Sequence, residues 1–62
     1  MDRQANVEEF RRLAKEGEAR GWRMAELAAM AVGDGMTQTA YARAVGQSQV
    51  HISVLVRMWG RL

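Results

Sequence analysis

The stretch Gln38–Arg57, QTAYARAVGQSQVHISVLVR, decides how the chain is read. Thr37 stands before it, and a threonine hydroxyl caps a helix start. Gln38 to Val45 then holds no breaker, and Gly46 follows. A glycine there supplies the positive φ that ends a helix sharply. Ser48 caps again, and Gln49 to about Trp59 carries apolar residues at helical spacing. Two short helices joined by a tight turn result, which is the pattern of a helix-turn-helix over residues 37–57.

Such a pair crosses at ~90–120°, so its helices approach closely near the junction. Ala42 is small where the second helix crosses. Tyr41 and Val45 are expected to point inward from the first helix, and Ile52 and Leu55 from the second. Met58 and Trp59 extend that inner face. By subtraction Ser48, Gln49, Val50, Ser53, Val54 and Arg57 face outward.

An outward face of this kind suits the major groove of double-stranded DNA, where the first residues of a recognition helix reach base edges. Gln49 offers a paired hydrogen bond to adenine, and Val50 or Val54 an apolar contact to a thymine methyl. Ser48 offers a hydroxyl, and Arg57 a base or backbone contact. These six form the expected base-reading set. Thr37, Gln38 and Thr39 open a helix whose amides favour phosphate. With Arg43 and His51 they form the expected phosphate set.

Charge agrees. All seven acids (Asp2, Glu8, Glu9, Glu16, Glu18, Glu26, Asp34) lie before residue 35. Residues 1–34 carry six basic side chains against them, while residues 35–62 carry Arg43, Arg57 and Arg61 alone. A segment without carboxylates does not repel phosphate, and its arginines replace condensed counterions.

The segment Thr37–Arg57 resembles the helix-turn-helix of lambda-type phage repressors. Gln38 opens its first helix, Ala42 and Gly46 fill the two small-residue positions, and Gln49 begins the recognition helix. It resembles still more that of ParB/KorB-type partition and repressor proteins, through Thr37-Gln38, Gly46-Gln47-Ser48 and the Ser53-Val54-Leu55-Val56-Arg57 ending. The resemblance covers about a third of the chain. It implies sequence-specific DNA binding, usually as a dimer on paired half-sites. Gln47 departs from it, since an aliphatic residue is usual there, and no basic cluster precedes the motif. Nothing matches the nucleotide-binding domain of ParB proteins.

Before the motif, Val7, Phe10, Leu13 and Ala14 share one helical face, predicting a helix from about Ala5 to Arg20. Asn6 is its expected cap, with Glu9 as capping-box partner. Gly17 and Gly21 admit two readings. They break the chain, with Gly21 at a left-handed C′ position, or they lie in one long helix packed closely on a partner. The break is preferred. A second helix spans about Trp22 to Val32, and Gly33-Asp34-Gly35 ends it. Trp22 and Trp59 read as core or interface anchors. No strand pattern appears.

The 62 residues suffice for one domain with one small core, and 48% hydrophobic residues favour folding over disorder. The expected fold class is all-α: a small bundle of about four helices containing a helix-turn-helix. It reads as the N-terminal part of a longer protein. Absence of cysteine excludes disulfides and Cys-based metal sites. No apolar run reaches the ~20 residues of a membrane span, and the first residues lack the apolar core of a secretory signal. No membrane partner is expected, and a cytoplasmic, nucleoid-associated location is. His51, the single histidine, has no carboxylate near it in sequence, so neither a triad with Ser48 nor a metal site is expected. There is no glycine-rich phosphate loop. The expectation is a non-enzyme without cofactor, regulating transcription as a repressor or serving plasmid or phage partition or immunity, with a homodimer supplying affinity. The alternative is a protein-interaction or dimerisation module using Val50 and Val54. An RNA-binding reading lacks exposed aromatics for base stacking.

Overall fold

The computed structural model describes all 62 residues. Four helices follow one another: α1 Arg3–Lys15, α2 Trp22–Gly33, α3 Gln38–Val45 and α4 Gln49–Gly60. There is no strand, so the all-α expectation holds.

The helix starts and stops have local causes. Asp2, not Asn6, caps α1, its carboxylate accepting from the Gln4 amide at 3.3 Å. The helix ends at Lys15, five residues short of the expected stop. There the amides of Gly17 and Glu18 turn back to the carbonyls of Ala14 and Leu13, both at 3.1 Å. This pair of hydrogen bonds needs a left-handed residue at its centre, and Gly17 sits at φ +99°. Gly21, expected in that role, is extended at φ −69° and precedes α2. Residues 5–32 thus form two helices. The same pair of bonds closes α2 through Gly35 and Met36, and α3 through Gly46 and Gln47.

α2 and α3 each lie against all three other helices, while the backbones of α1 and α4 are not neighbours. Ala25, Ala28 and Ala31 recur every three residues along the buried side of α2. Their small side chains let neighbouring helices approach closely. Phe10, Met24, Leu27, Tyr41, Ile52 and Leu55 are fully buried around them. Each such side chain contributes ~1.5–3 kcal/mol of transfer free energy. Phe10 and Tyr41 meet edge to face, with centroids 5.6 Å apart. Val7, Leu13, Met58 and Trp59 pack at the margin. Trp22 does not join the core, and half of it is exposed. An indole carries one polar atom on a broad apolar body, so composition alone does not decide its side.

Asn6 is the one buried polar residue. Its Nδ2 donates to the Leu27 carbonyl at 2.8 Å, and its Oδ1 accepts from the Tyr41 hydroxyl at 2.6 Å. One amide therefore ties α1 to α2 and α3. Glu9 is no capping partner either. It takes a two-pronged bond from Arg23, at 2.6 and 2.9 Å, and Glu26 takes a third at 2.7 Å.

Candidate nucleic-acid interface

α3, the turn Gly46-Gln47-Ser48 and α4 occupy residues 38–60, with the helix bounds at Gln38, Val45 and Gln49 where capping places them. Thr37 Oγ1 accepts from the Ala40 amide at 3.0 Å, and Ser48 Oγ from the His51 amide at 3.1 Å. Each hydroxyl keeps its own hydrogen free to donate outward. Gly46 is left-handed at φ +74°. Gln47, where an aliphatic residue was expected, is half-buried, and its amide bonds to the Ala42 carbonyl at 2.9 Å. Its backbone closes α3, so the turn forms without an aliphatic side chain there.

Burial sorts the two faces of α4. Ile52 and Leu55 are wholly buried and Tyr41, Ala42 and Val45 pack from α3, as the spacing predicts. Ser48, Gln49 and Arg57 are exposed, Val50 is 69% exposed, and Ser53 and Val54 are half-buried. All six outward residues therefore keep accessible surface, the first turn most of all. Thr37, Thr39 and Arg43 are exposed beside them, and Gln38 is half-buried.

Two contacts set the first turn of α4. Gln49 Nε2 donates to Gln38 Oε1 at 3.3 Å, joining the opening residues of the two helices. This leaves the Gln49 carbonyl oxygen and one amide hydrogen unused. His51 Nε2 donates to the Ala19 carbonyl at 2.6 Å, fastening the α1–α2 connection beside α4. That nitrogen is spent on the domain itself, and only Nδ1 remains for a ligand.

The electrostatics are one-sided. The ion pairs of the domain all involve Arg23, so Arg43, Arg57 and Arg61 stand without an acid in reach. The Arg23 guanidinium bonded to Glu9 holds that carboxyl below the usual range. Burial pushes the Tyr41 phenol well up, aided by the nearby Glu9 charge. Both groups belong to the scaffold beneath the motif.

Two groups beside α4 lie outside the expected base-reading and phosphate sets, the Ala19 carbonyl and Arg61. The Ala19 carbonyl gives no side-chain signal. Arg61 did leave one, lying four residues beyond Arg57 and so one turn along the same side of α4. No group of three His, Cys, Asp or Glu side chains is placed to hold a metal ion, and no helix is long and apolar enough to cross a membrane. Comparison of the chain with protein-family models, with curated proteins and with solved structures gave no match.

Proposed function

We propose that this domain binds double-stranded DNA in a sequence-specific manner, with α4 as the recognition helix in the major groove. The observation that carries the reading is the division of α4. Ile52 and Leu55 are sunk in the core, while the face led by Gln49 is left open. Ser48, Gln49 and Val50 enter first, and Ser53, Val54 and Arg57 follow along the groove. Thr37, Gln38, Thr39 and Arg43 contact phosphates of the flanking backbone, and His51 stands at the edge of that set with its Nε2 given to the Ala19 carbonyl. The acid-free second half supplies a surface that phosphate approaches without repulsion.

The likeness to lambda-type and ParB/KorB-type motifs supports a role as transcriptional repressor or as a partition or immunity regulator at the nucleoid. One copy offers a single short reading helix, so useful affinity comes from a homodimer on paired half-sites. The test is selection of bound duplexes from a random pool, followed by a salt titration of the enriched sequence. The expected result is a defined half-site and an affinity that falls steeply with salt. The exposure of Val50 favours one rival, docking of this face on another helix. Salt-insensitive self-association through residues 48–57, with no enriched sequence, would establish that rival instead.

A further inference from the structure

Val54, Arg57, Met58 and Arg61 follow at steps of three, one and three, which puts them on a single stripe of α4. These four residues line a shallow groove of about 200 Å³ near the end of the helix. Val54 and Met58 are half-buried, and the two arginines are exposed. Neither guanidinium has an acid within ion-pair distance, and no acidic side chain follows Asp34. Like charges four residues apart repel on a helix. The carbonyl end of α4 attracts each of them, but a helix terminus carries only about half a charge. Two full cations therefore share a groove whose counter-charge the domain does not provide.

We propose that Arg57 and Arg61 form a phosphate site, occupied by a phosphodiester of the duplex whose bases Gln49 reads. The assignment rests on the DNA-binding reading of α4; it adds Arg61 to it and moves Arg57 from the base edges to the backbone. Length supports it. From Gln49 to Arg61 the helix rises about 18 Å, at ~1.5 Å per residue. The major groove is about 12 Å wide. With the Gln49 end at base edges, the Arg61 end reaches the groove wall, where phosphates lie. A guanidinium presents a planar fork that matches phosphate oxygens, and two of them one turn apart hold an anion from both sides.

Fluorescence anisotropy on the full chain and a selected duplex tests this across a salt series, with R57Q, R61Q, R61K and the control R11Q. Arg11 lies on α1, whose backbone is not a neighbour of α4. Each phosphate contact adds about 0.9 to the slope of log affinity against log salt. R61Q is expected to lower that slope by about 0.9, roughly 3.5-fold in affinity over a fourfold change of salt. The ranking of duplex sequences and the thermal unfolding midpoint stay unchanged. R61K retains the slope but binds less tightly, and R11Q changes neither. A slope equal to wild type in R61Q, with normal duplex binding, overturns the phosphate site and leaves the DNA reading standing. Absence of any salt-sensitive duplex binding by wild type overturns both. Inorganic phosphate separates the sources. Saturable shifts of the Arg57 and Arg61 Nε–H resonances, with no slope change in R61Q, would assign the groove to a free anion and overturn the backbone assignment.

Discussion

The Tyr41 hydroxyl donates to the Asn6 side-chain carbonyl at 2.6 Å, across 35 positions of the chain. Tyr41 belongs to the first helix of the motif, and Asn6 to the first helix of the scaffold. The bond seats the motif on its base, because Asn6 also holds the Leu27 carbonyl of α2. Removing either side chain strands the polar atom of the other in an apolar surrounding.

Asn6→Ala therefore strands the Tyr41 hydroxyl, while the Leu27 carbonyl loses a second bond and keeps its place in the helical ladder of α2. The expected loss is ~1–3 kcal/mol of folding free energy, the cost of one stranded buried group. Tyr41→Phe strands only Asn6 Oδ1 and is expected to cost ~1–2 kcal/mol. Urea unfolding of the two single variants and the double variant measures the coupling. Strict additivity of the two would show that the bond contributes nothing.

The same burial makes the fold sensitive to alkali. Tyr41 is the only tyrosine, and its phenol is held protonated well above its ordinary value by burial, then by the Glu9 charge. A folded-state value above the unfolded one gives stability that is complete below the unfolded value and lost as pH rises. The loss is expected to begin at about pH 10, where an unfolded tyrosine ionises. Phenolate absorbance appearing together with unfolding, and disappearing in Tyr41→Phe, is the result to look for. Glu9 acts at the other end. Its bond with Arg23 lowers its value, so its contribution is present above the ordinary carboxylate range and fades as pH falls below about 4. Glu9→Gln is expected to flatten the acid limb of the stability curve.

On the proposed DNA-reading face, Gln49→Ala is expected to cost ~1–3 kcal/mol on the selected duplex and almost nothing on unrelated DNA. Gln38→Ala leaves the Gln49 amide without its support. A smaller loss, ~0.5–1.5 kcal/mol, is expected together with a blurred preference at the same base position. Binding-site selection repeated with each variant provides the check. An unchanged preference in Gln49→Ala would remove Gln49 from the reading set. Arg43→Ala is expected to weaken binding to all duplexes alike and to reduce the salt slope.

Gly46→Ala separates conformational strain from crowding. A methyl group at Gly46 meets no atom within 4 Å, so space is available. The cost that remains is the left-handed backbone, ~1–2 kcal/mol for an L-residue. Gly46→Asn is expected to cost less, since asparagine tolerates that region better. Thermal unfolding of the pair tests the order. Equal destabilisation would place the cause elsewhere than in φ.

The parts of the fold that were legible in the sequence have local causes. Thr37, Gly46 and Ser48 act on neighbours three to five residues away, and their bonds fall where the pattern puts them. The inward set Tyr41, Val45, Ile52 and Leu55 followed from helical spacing. What escaped was decided at long range. Asn6 has the chemistry of a cap, but its partners lie 21 and 35 residues away. Glu9 stands three residues after Asn6, yet Arg23 holds it from the next helix. Gly21 is the expected left-handed position, and Gly17 takes it instead. The choice fell to Gly17 because Phe10 completes the buried side of α1, and little beyond Ala14 has a core to face. At the interface, composition gave the residue types, and only folding brought Ala19 beside His51.

That last contact fixes a proton. A carbonyl only accepts, so an uncharged His51 carries its hydrogen on Nε2, facing Ala19. Its Nδ1 is then a lone pair, which repels a phosphate oxygen and cannot donate to it. His51 therefore gives its one ring hydrogen to the fold. It pins the α1–α2 connection to the first turn of α4, and the hydrogen bonds to a sugar–phosphate chain fall to the side chains around it.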